Sequence, residues 1–488
     1  MFYINNKIIQ FKNHIIKSVT NNVNPLNLPP NTIRVKFASG YTPTMGNTQT
    51  LVDANNNVWD IYKSSNDWSN LFTEENKEHT LLEVLGANTS NVTQMTGLFR
   101  FCKSLTTVPL FDTSNVQYMD SMFRECSSLI SVPSFNTPKL KATNGMFWYC
   151  TSLTSVPLFD TSRVTNMDYM FYHCDSLITV PLFNTSNVTT MTQMLYRCTS
   201  LTSVPLFDTS NISNMKNFFT GCTSLTTVPL FNTSNVTNME ALFSECSALT
   251  SVPLFDTSNV TNMKALFSQC SSLTTVPLFD TSKVTNMDSM FYKCTSLTSV
   301  QLFDTSNVTD MTNMFNQCSS LTSVPLYDTS NVTTMNKLFY RCTSLTTVPL
   351  FNTSNVTDMS SMFEGCVSLT SVPLFDTSNV TTMNNLFYNC DSLTTVPLFD
   401  TSNVTDMSRV FCWCDLLTTV PLFNTSKVTD MTNMFYSCYN VQSGALALYQ
   451  QASTQANPPT NHSGTFYNCG SNTQTGRAEL AQIPSDWK

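Results

Sequence analysis

The chain has 488 residues, only 11% of them charged, with a formal net charge of −8; soluble proteins usually carry about 25% charged residues. So sparse and net-negative a surface offers no basic face to a phosphate backbone, and nucleic acid is excluded as a partner. Four histidines in unrelated contexts (His14, His79, His173, His462) leave nucleophilic triads and histidine-rich metal sites without base or ligand.

Residues 1–30 alternate apolar and polar side chains with no apolar run of secretory length, and read as an extended N-terminal arm ending at Pro29-Pro30. The arm is expected to attach the chain to another protein or to self-associate into a homo-oligomer. Residues 31–80, with Val35, Phe37, Val58, Trp59, Trp68 and Phe72, read as a small β-containing N-terminal module. No stretch reaches the roughly 18 consecutive apolar residues of a membrane span.

From 81 to 438 the chain repeats. Fifteen cysteines, from Cys102 to Cys438, stand at intervals of 24 residues without insertion. The unit reads C-x-x-L-T-x-V-P-L-F-[DN]-T-S-N-V-T-x-M-x-x-[ML]-F-x-x, and Leu81 to Phe99 fit a degenerate leading copy. Val284, Met287, Met290, Phe291 and Cys294 recur at three- and four-residue steps, the period of a short helix. The segment L-T-S-V is β-prone, and the proline that usually follows it ends regular pairing. In one copy Asn136-Thr137-Pro138 replaces Asp-Thr-Ser; proline favours the first helical position, which makes the threonine the expected N-cap. The expected fold is therefore an α/β repeat solenoid, leucine-rich-repeat-like. Short parallel strands would lie on a concave side and short helices opposite, because packed helices need about 8–10 Å where strands need about 4.8 Å. One unit cannot bury both its flanks, so such an array needs several copies and end caps. Residues 439–488, with a helix expected around Leu446 to Tyr449, read as the C-terminal capping region.

The segment Phe279 to Thr298 resembles, nearly residue for residue, the BspA-type leucine-rich repeat of bacterial surface proteins, whose units read F-D-T-S-N-V-T-x-M-x-x-M-F-x-x-C-x-S-L-T. The resemblance covers about three-quarters of the chain and implies a non-enzymatic adhesin or interaction protein. The flanks of the array, NTIRVKF and VWDIYKSSNDWSNLF before it and ELAQIPSDWK after it, resemble those on repeat chains carried by tailed phages of gut bacteria. That resemblance implies a virion surface protein, a head fibre or decoration. It would be held to other virion proteins by its N-terminal region and would display the solenoid to host-surface glycans or proteins. A bacterial cell-surface or extracellular adhesin is the alternative.

No column of the repeat carries an acid, base or nucleophile in catalytic company, and no cofactor, metal or catalytic residue is expected. The cysteines read as buried reduced thiols, with Cys412, off the column, expected to be the exposed and reactive one. The Asp/Asn column, which includes Asp280 and Asn352, reads as turn residues satisfying backbone donors ahead of a calcium ladder. The position after the unit's last phenylalanine is the candidate binding column. It carries Trp148, Tyr172, Tyr196, Tyr292, Tyr340, Tyr388 and Tyr436, with Trp413 nearby, while other copies place Arg124 or Glu364 there. Such aromatics can stack on sugar rings or anchor a protein partner, or simply pack in part against the next helix of the array.

Overall fold

The computed structural model describes residues 3–4, 7–8, 26–39, 41, 49–53, 56–72 and 81–488. Most of the expected N-terminal arm lies outside the described residues. What is described of it includes a two-residue antiparallel pairing, β1 (Tyr3–Ile4) with β2 (Lys7–Ile8). β3 (Thr32–Phe37), β4 (Gln49–Asp53), β5 (Val58–Tyr62) and β6 (Leu81–Asn88) form an antiparallel sheet in the order β4-β5-β3-β6. Its inward residues Ile33, Val35, Phe37 and Ile61 are continuous with the core of the array. The sheet reaches past residue 80 and takes in the start of the leading repeat.

Each repeat is one coil, and no helix occurs between residues 81 and 438. The expected short helices are replaced by a succession of tight turns. In the coil around Met290, the amides of Met290, Tyr292, Cys294 and Leu297 donate to carbonyls three residues back, at 3.0–3.1 Å. The alternate amides point along the coil axis instead. Met287, Ser289, Phe291 and Lys293 donate to Asp310, Thr312, Met314 and Asn316 of the next coil, at 2.7–3.3 Å. Ser289 and Lys293 reach this geometry with φ of 58°. A left-handed residue costs a non-glycine side chain about 1–2 kcal/mol, but it turns the peptide so that its amide meets the next coil. Glycine takes the same position at Gly221 and Gly365, with φ of 76° and 72°.

Spacing explains why turns win over helices. The stacked rings Phe291, Phe315 and Phe339 lie 5.6 and 5.7 Å apart, and the second phenylalanine column repeats at similar distances, as Phe375 to Phe399 at 6.4 Å. Helices pack at about 8–10 Å and would not fit that rise. A helix and a chain of three-residue turns both bring every third or fourth residue inward, so the apolar period alone does not separate them. The L-T-S-V segments form no strand; from Thr250 through Thr418 most repeats make a single inter-coil bond there, as Thr346 N–H to Thr322 O at 3.3 Å. Coil-to-coil pairing sits elsewhere, as isolated parallel bridges at the residue before the first methionine, Asn262 to Asn286 to Asp310 onward. With no helices to be wider than strands, the expectation of a concave strand side loses its premise.

Side chains add further ladders. Each column cysteine is buried, and from Cys126 to Cys438 its thiol donates to a carbonyl of the coil before, that of a phenylalanine as for Cys294 to Phe267 and Cys318 to Phe291 at 3.0 Å, or of Leu195 for Cys222. The buried threonine of the D-T-S turn is not a helix N-cap. Its hydroxyl donates to the Asp or Asn carbonyl of the next coil, as Thr281 to Asp304 at 2.8 Å. The Asn of N-V-T spends its amide on a serine carbonyl one coil back, as Asn307 to Ser282 at 2.7 Å.

The turn ladder runs beyond the 24-residue array at both ends. Asp67 bridges to Gln94, Trp68 N–H donates to Gln94 O at 2.9 Å, and Phe72 stacks on Phe99 at 5.6 Å; Asp67 to Phe72 is thus a partial first coil. At the other end Met431, Asn433, Phe435 and Ser437 donate to Asn461, Ser463, Thr465 and Tyr467. Residues 461 to 469 repeat the turn sequence, ending on Phe466 and Cys469. Helices α1 (Ala445–Thr454) and α2 (Gln474–Leu480) are inserted before and after this last coil. The Phe466 amide finds the Trp487 carbonyl at 2.9 Å, and Trp487 packs on His462 and Tyr449.

Candidate functional site: an aromatic column and a leucine ridge

The outer position of each turn follows a buried phenylalanine or leucine at the coil edge; the aromatics there, with Arg124 and Glu364, are half-buried between neighbours one coil away, while Thr220, Ser244, Ser268, Asn316 and Cys412 at the same position are buried. Trp148, Tyr172 and Tyr196 occupy consecutive coils and come together: Tyr172 stacks on Tyr196 at 4.7 Å, and Trp148 meets Tyr172 at 5.1 Å. Residues not foreseen join them. Tyr169 stacks on Trp148 at 4.9 Å, Tyr149 on His173 at 4.5 Å, and Arg124 lies over the Trp148 ring at 4.1 Å. The signal was the local run Y-M-F-Y-H, which doubles the aromatics of one coil. Burial, then the neighbouring Tyr196, raises the Tyr172 hydroxyl above the usual tyrosine range. Tyr436 stacks on Tyr467 of the last coil at 4.8 Å. Trp413 stands one residue further along the turn, in register with Tyr149, and is tilted against Tyr436 at 5.9 Å.

Tyr292, Tyr340 and Tyr388 alternate with Asn316 and Glu364, so these rings are two coils apart. Between Tyr292 and Tyr340 opens a groove of about 480 Å³, bordered by Lys264, Lys337 and Gln317. Asn316 lines it. Its amide nitrogen donates to Asn313 at 2.7 Å, while its Oδ1 is buried without a hydrogen-bond partner. A lone buried acceptor costs about 1–3 kcal/mol. Phe315 fits between Phe291 and Phe339 one layer below, so the groove is the width of one missing ring.

A second outward feature was not anticipated. The leucine of V-P-L-F is exposed in every coil from Leu158 to Leu422, with 51–60% of its surface open. The cause is local. Phe231 N–H donates to Pro229 O at 3.0 Å, and Phe351 to Pro349 likewise, closing a three-residue turn with leucine at its apex. Period-two alternation held the signal: Leu and Asp face out where Phe and Thr face in. On one side of the ridge runs the exposed Asp/Asn column, whose carboxylates accept from Ser N–H and Ser hydroxyl two residues on, as Asp280 from Ser282 at 3.0 and 2.7 Å. These bonds hold Asp208, Asp256, Asp280 and Asp376 below the usual carboxylate range. On the other side runs an exposed pair of Thr or Ser, as Thr298 and Ser299.

All seventeen cysteines are free and buried. Cys412 is among them at 4% exposure, and burial pushes its thiol up to about 12, so it is not the exposed reactive thiol that its sequence position suggested. Among the described residues no three His, Cys, Asp or Glu side chains converge in a metal-binding group, and no helix is long and apolar enough to cross a membrane.

A solenoid of 24-residue turn coils, with packing columns inside and two periodic surfaces outside, is the class of molecule these features define. The chain belongs to the family described as Mycoplasma protein of unknown function, DUF285, which it matches in overlapping segments from 66 to 475. Those limits nearly coincide with the first and last coils. No curated protein sequence matches it. Among solved structures it is similar to a leucine-rich repeat protein from Eubacterium ventriosum (14% identity over 75% of this chain and 82% of that one, TM-score 0.34). It is also similar to the T. pallidum leucine-rich repeat protein (19% identity, 46% and 85%, TM-score 0.22). A third is the functional domain of InlJ from Listeria monocytogenes, which includes a cysteine ladder (15%, 66% and 68%, TM-score 0.23).

Proposed function

We propose that this chain is a non-enzymatic binding protein of a biological surface, and that its outer aromatic column takes the rings of host-surface glycans. The observation that carries the reading is the missing rung between Tyr292 and Tyr340. A sugar ring entering there is flanked by two aromatic faces, and the side chain of Asn316 at its floor holds an acceptor in need of a donor. Rotation of the amide about χ2, a broad torsion, brings Oδ1 toward a ring hydroxyl. Lys264, Lys337 and Gln317 at the rim supply further donors. The cluster at Trp148, Tyr172 and Tyr196, already filled, suits a protein side chain or a flat glycan face.

The test is binding of the full chain to an array of mucin-type and bacterial capsular oligosaccharides. Tyr340→Ala should weaken binding by about tenfold or more, as truncating an aromatic anchor at a binding surface costs about 2 kcal/mol. Asn316→Tyr, which fills the rung as Tyr196 does beside Tyr172, should abolish it with the fold intact. Unchanged binding in both variants removes the site.

At finer grain the surface is that of a virion, with residues 1–30 attaching a head fibre or decoration to other virion proteins, 31–80 as the module beside the array, 81–438 displayed outward and 439–488 as its cap. The likeness of the flanks to phage-borne repeat chains supports this. The family's description names a bacterium, which favours the other reading, a cell-surface adhesin. Antibody labelling in electron microscopy separates them: label confined to cell envelopes rules out the virion.

A further inference from the structure

We infer that the leucine ridge is the seam of a parallel pair, in which a second copy of this chain lies alongside the first with both N-termini at the same end. Twelve consecutive ridge leucines, Leu158 to Leu422, are each 51–60% exposed. At on the order of 100 Å² apiece they present more than about 1,000 Å² of apolar surface in one row, where a monomer's largest patch is about 300–600 Å² and a standard interface takes about 800 Å² from each partner. The occupant must offer apolar side chains at the same rise as this ridge, repeated twelve times. A second copy does so by construction, coil for coil.

Charge decides the orientation. The ridge has the Asp/Asn row on one flank and the Thr/Ser row on the other. A two-fold axis across the ridge, giving an antiparallel pair, would bring Asp256, Asp280, Asp304 and Asp328 against their own kind. An axis along the ridge instead sets each Asp row against the partner's neutral Thr/Ser row, as Asp304 opposite the level of Thr298 and Ser299. Only the second arrangement buries the leucines without facing carboxylates. Ser134 takes the leucine's place in one early coil, so the seam runs from Leu158 onward and leaves the N-terminal sheets apart.

Sedimentation of the full chain tests the pairing. From about 1 to 50 μM it should run at twice its 54.6 kDa mass, and Leu254→Glu/Leu302→Glu/Leu350→Glu should raise the dissociation constant by about 100-fold or more. Because these positions face out from the single chain, the variant should still unfold cooperatively, with a melting temperature matching that of the parent diluted below its dissociation constant. A monomer at 50 μM, or one that binds only phosphatidylcholine vesicles, overturns the inference. Orientation is read by oxidation. All native thiols are buried, so single Leu182→Cys and Leu398→Cys variants should each form a symmetric disulfide dimer. A pair in which neither cross-links alone, but a mixture of the two variants does, is antiparallel and overturns the assignment.

Discussion

Along the leucine ridge every coil from Leu158 to Leu422 presents the same residue, whereas along the outer turn column the residue changes from Trp148 and Tyr172 to Ser268, Asn316 and Glu364. Both rows stand on one backbone and are spaced by the same coil rise. A requirement met identically in every coil belongs to something as long and as periodic as the solenoid itself. A requirement met differently in each coil belongs to local sites. On the two proposals above the ridge serves assembly and the column recognition, and each can be altered without touching the other.

The largest effect should come from beneath both. Phe315 is 1% exposed and stacked between two rings, and Phe315→Ala should cost about 3–5 kcal/mol in urea unfolding, while Leu302→Ala, on the ridge, should stay within about 0.5 kcal/mol when both are followed at a concentration where the chain is monomeric. Equal losses would break the division between core and ridge. Next is Thr281→Val, which keeps the shape but leaves the Asp304 carbonyl without its hydroxyl donor. It should cost about 1–3 kcal/mol, and a neutral result would mean the threonine ladder is incidental to coil stacking.

The smallest effect is that of pH on the Asp row. Serine donors hold Asp208, Asp256, Asp280 and Asp376 below their ordinary value, so their stabilisation is present above the unfolded pKa of about 3.9 and is lost as pH falls through the folded values. The melting temperature should be level from pH 7 to about 5 and decline below about 4. Asp280→Asn, which keeps the acceptor as Asn352 does toward Ser354, should make the decline shallower. A melting temperature that rises on acidification would mean that repulsion within the row outweighs its turns.

The candidate column was legible in sequence because it is defined by register alone: the residue following Phe291 and its equivalents stands at the same coil edge, and a large aromatic there reaches the surface. The company those residues keep was less so. That Tyr149, Tyr169 and His173 join Trp148 and Tyr172 depends on two left-handed turns per coil, and on a rise short enough to stack rings, neither of which a single repeat specifies. The groove at Asn316 is likewise a property of three coils together. Cys412 misled because it stands on this same outer position, where a side chain as small as Ser268, Thr220 or Cys412 is covered by its neighbours whatever is exposed beside it.

The 24-residue period, the uninterrupted columns and the inward placement of the valine, methionine, phenylalanine and cysteine columns follow from the sequence, since they need only counting and the partition of apolar from polar side chains. Tertiary structure alone decided that the apolar period is met by turns rather than helices. It also placed the pairing column before the methionines and made coils of Asp67 to Phe72 and Asn461 to Cys469. The physical reason is common to all of these. The coils stack in one repeating arrangement, with phenylalanine rings about 5.6 Å apart as at Phe291 and Phe315, and that spacing is set by how neighbours stack; it selects among local conformations that one isolated repeat leaves nearly equal.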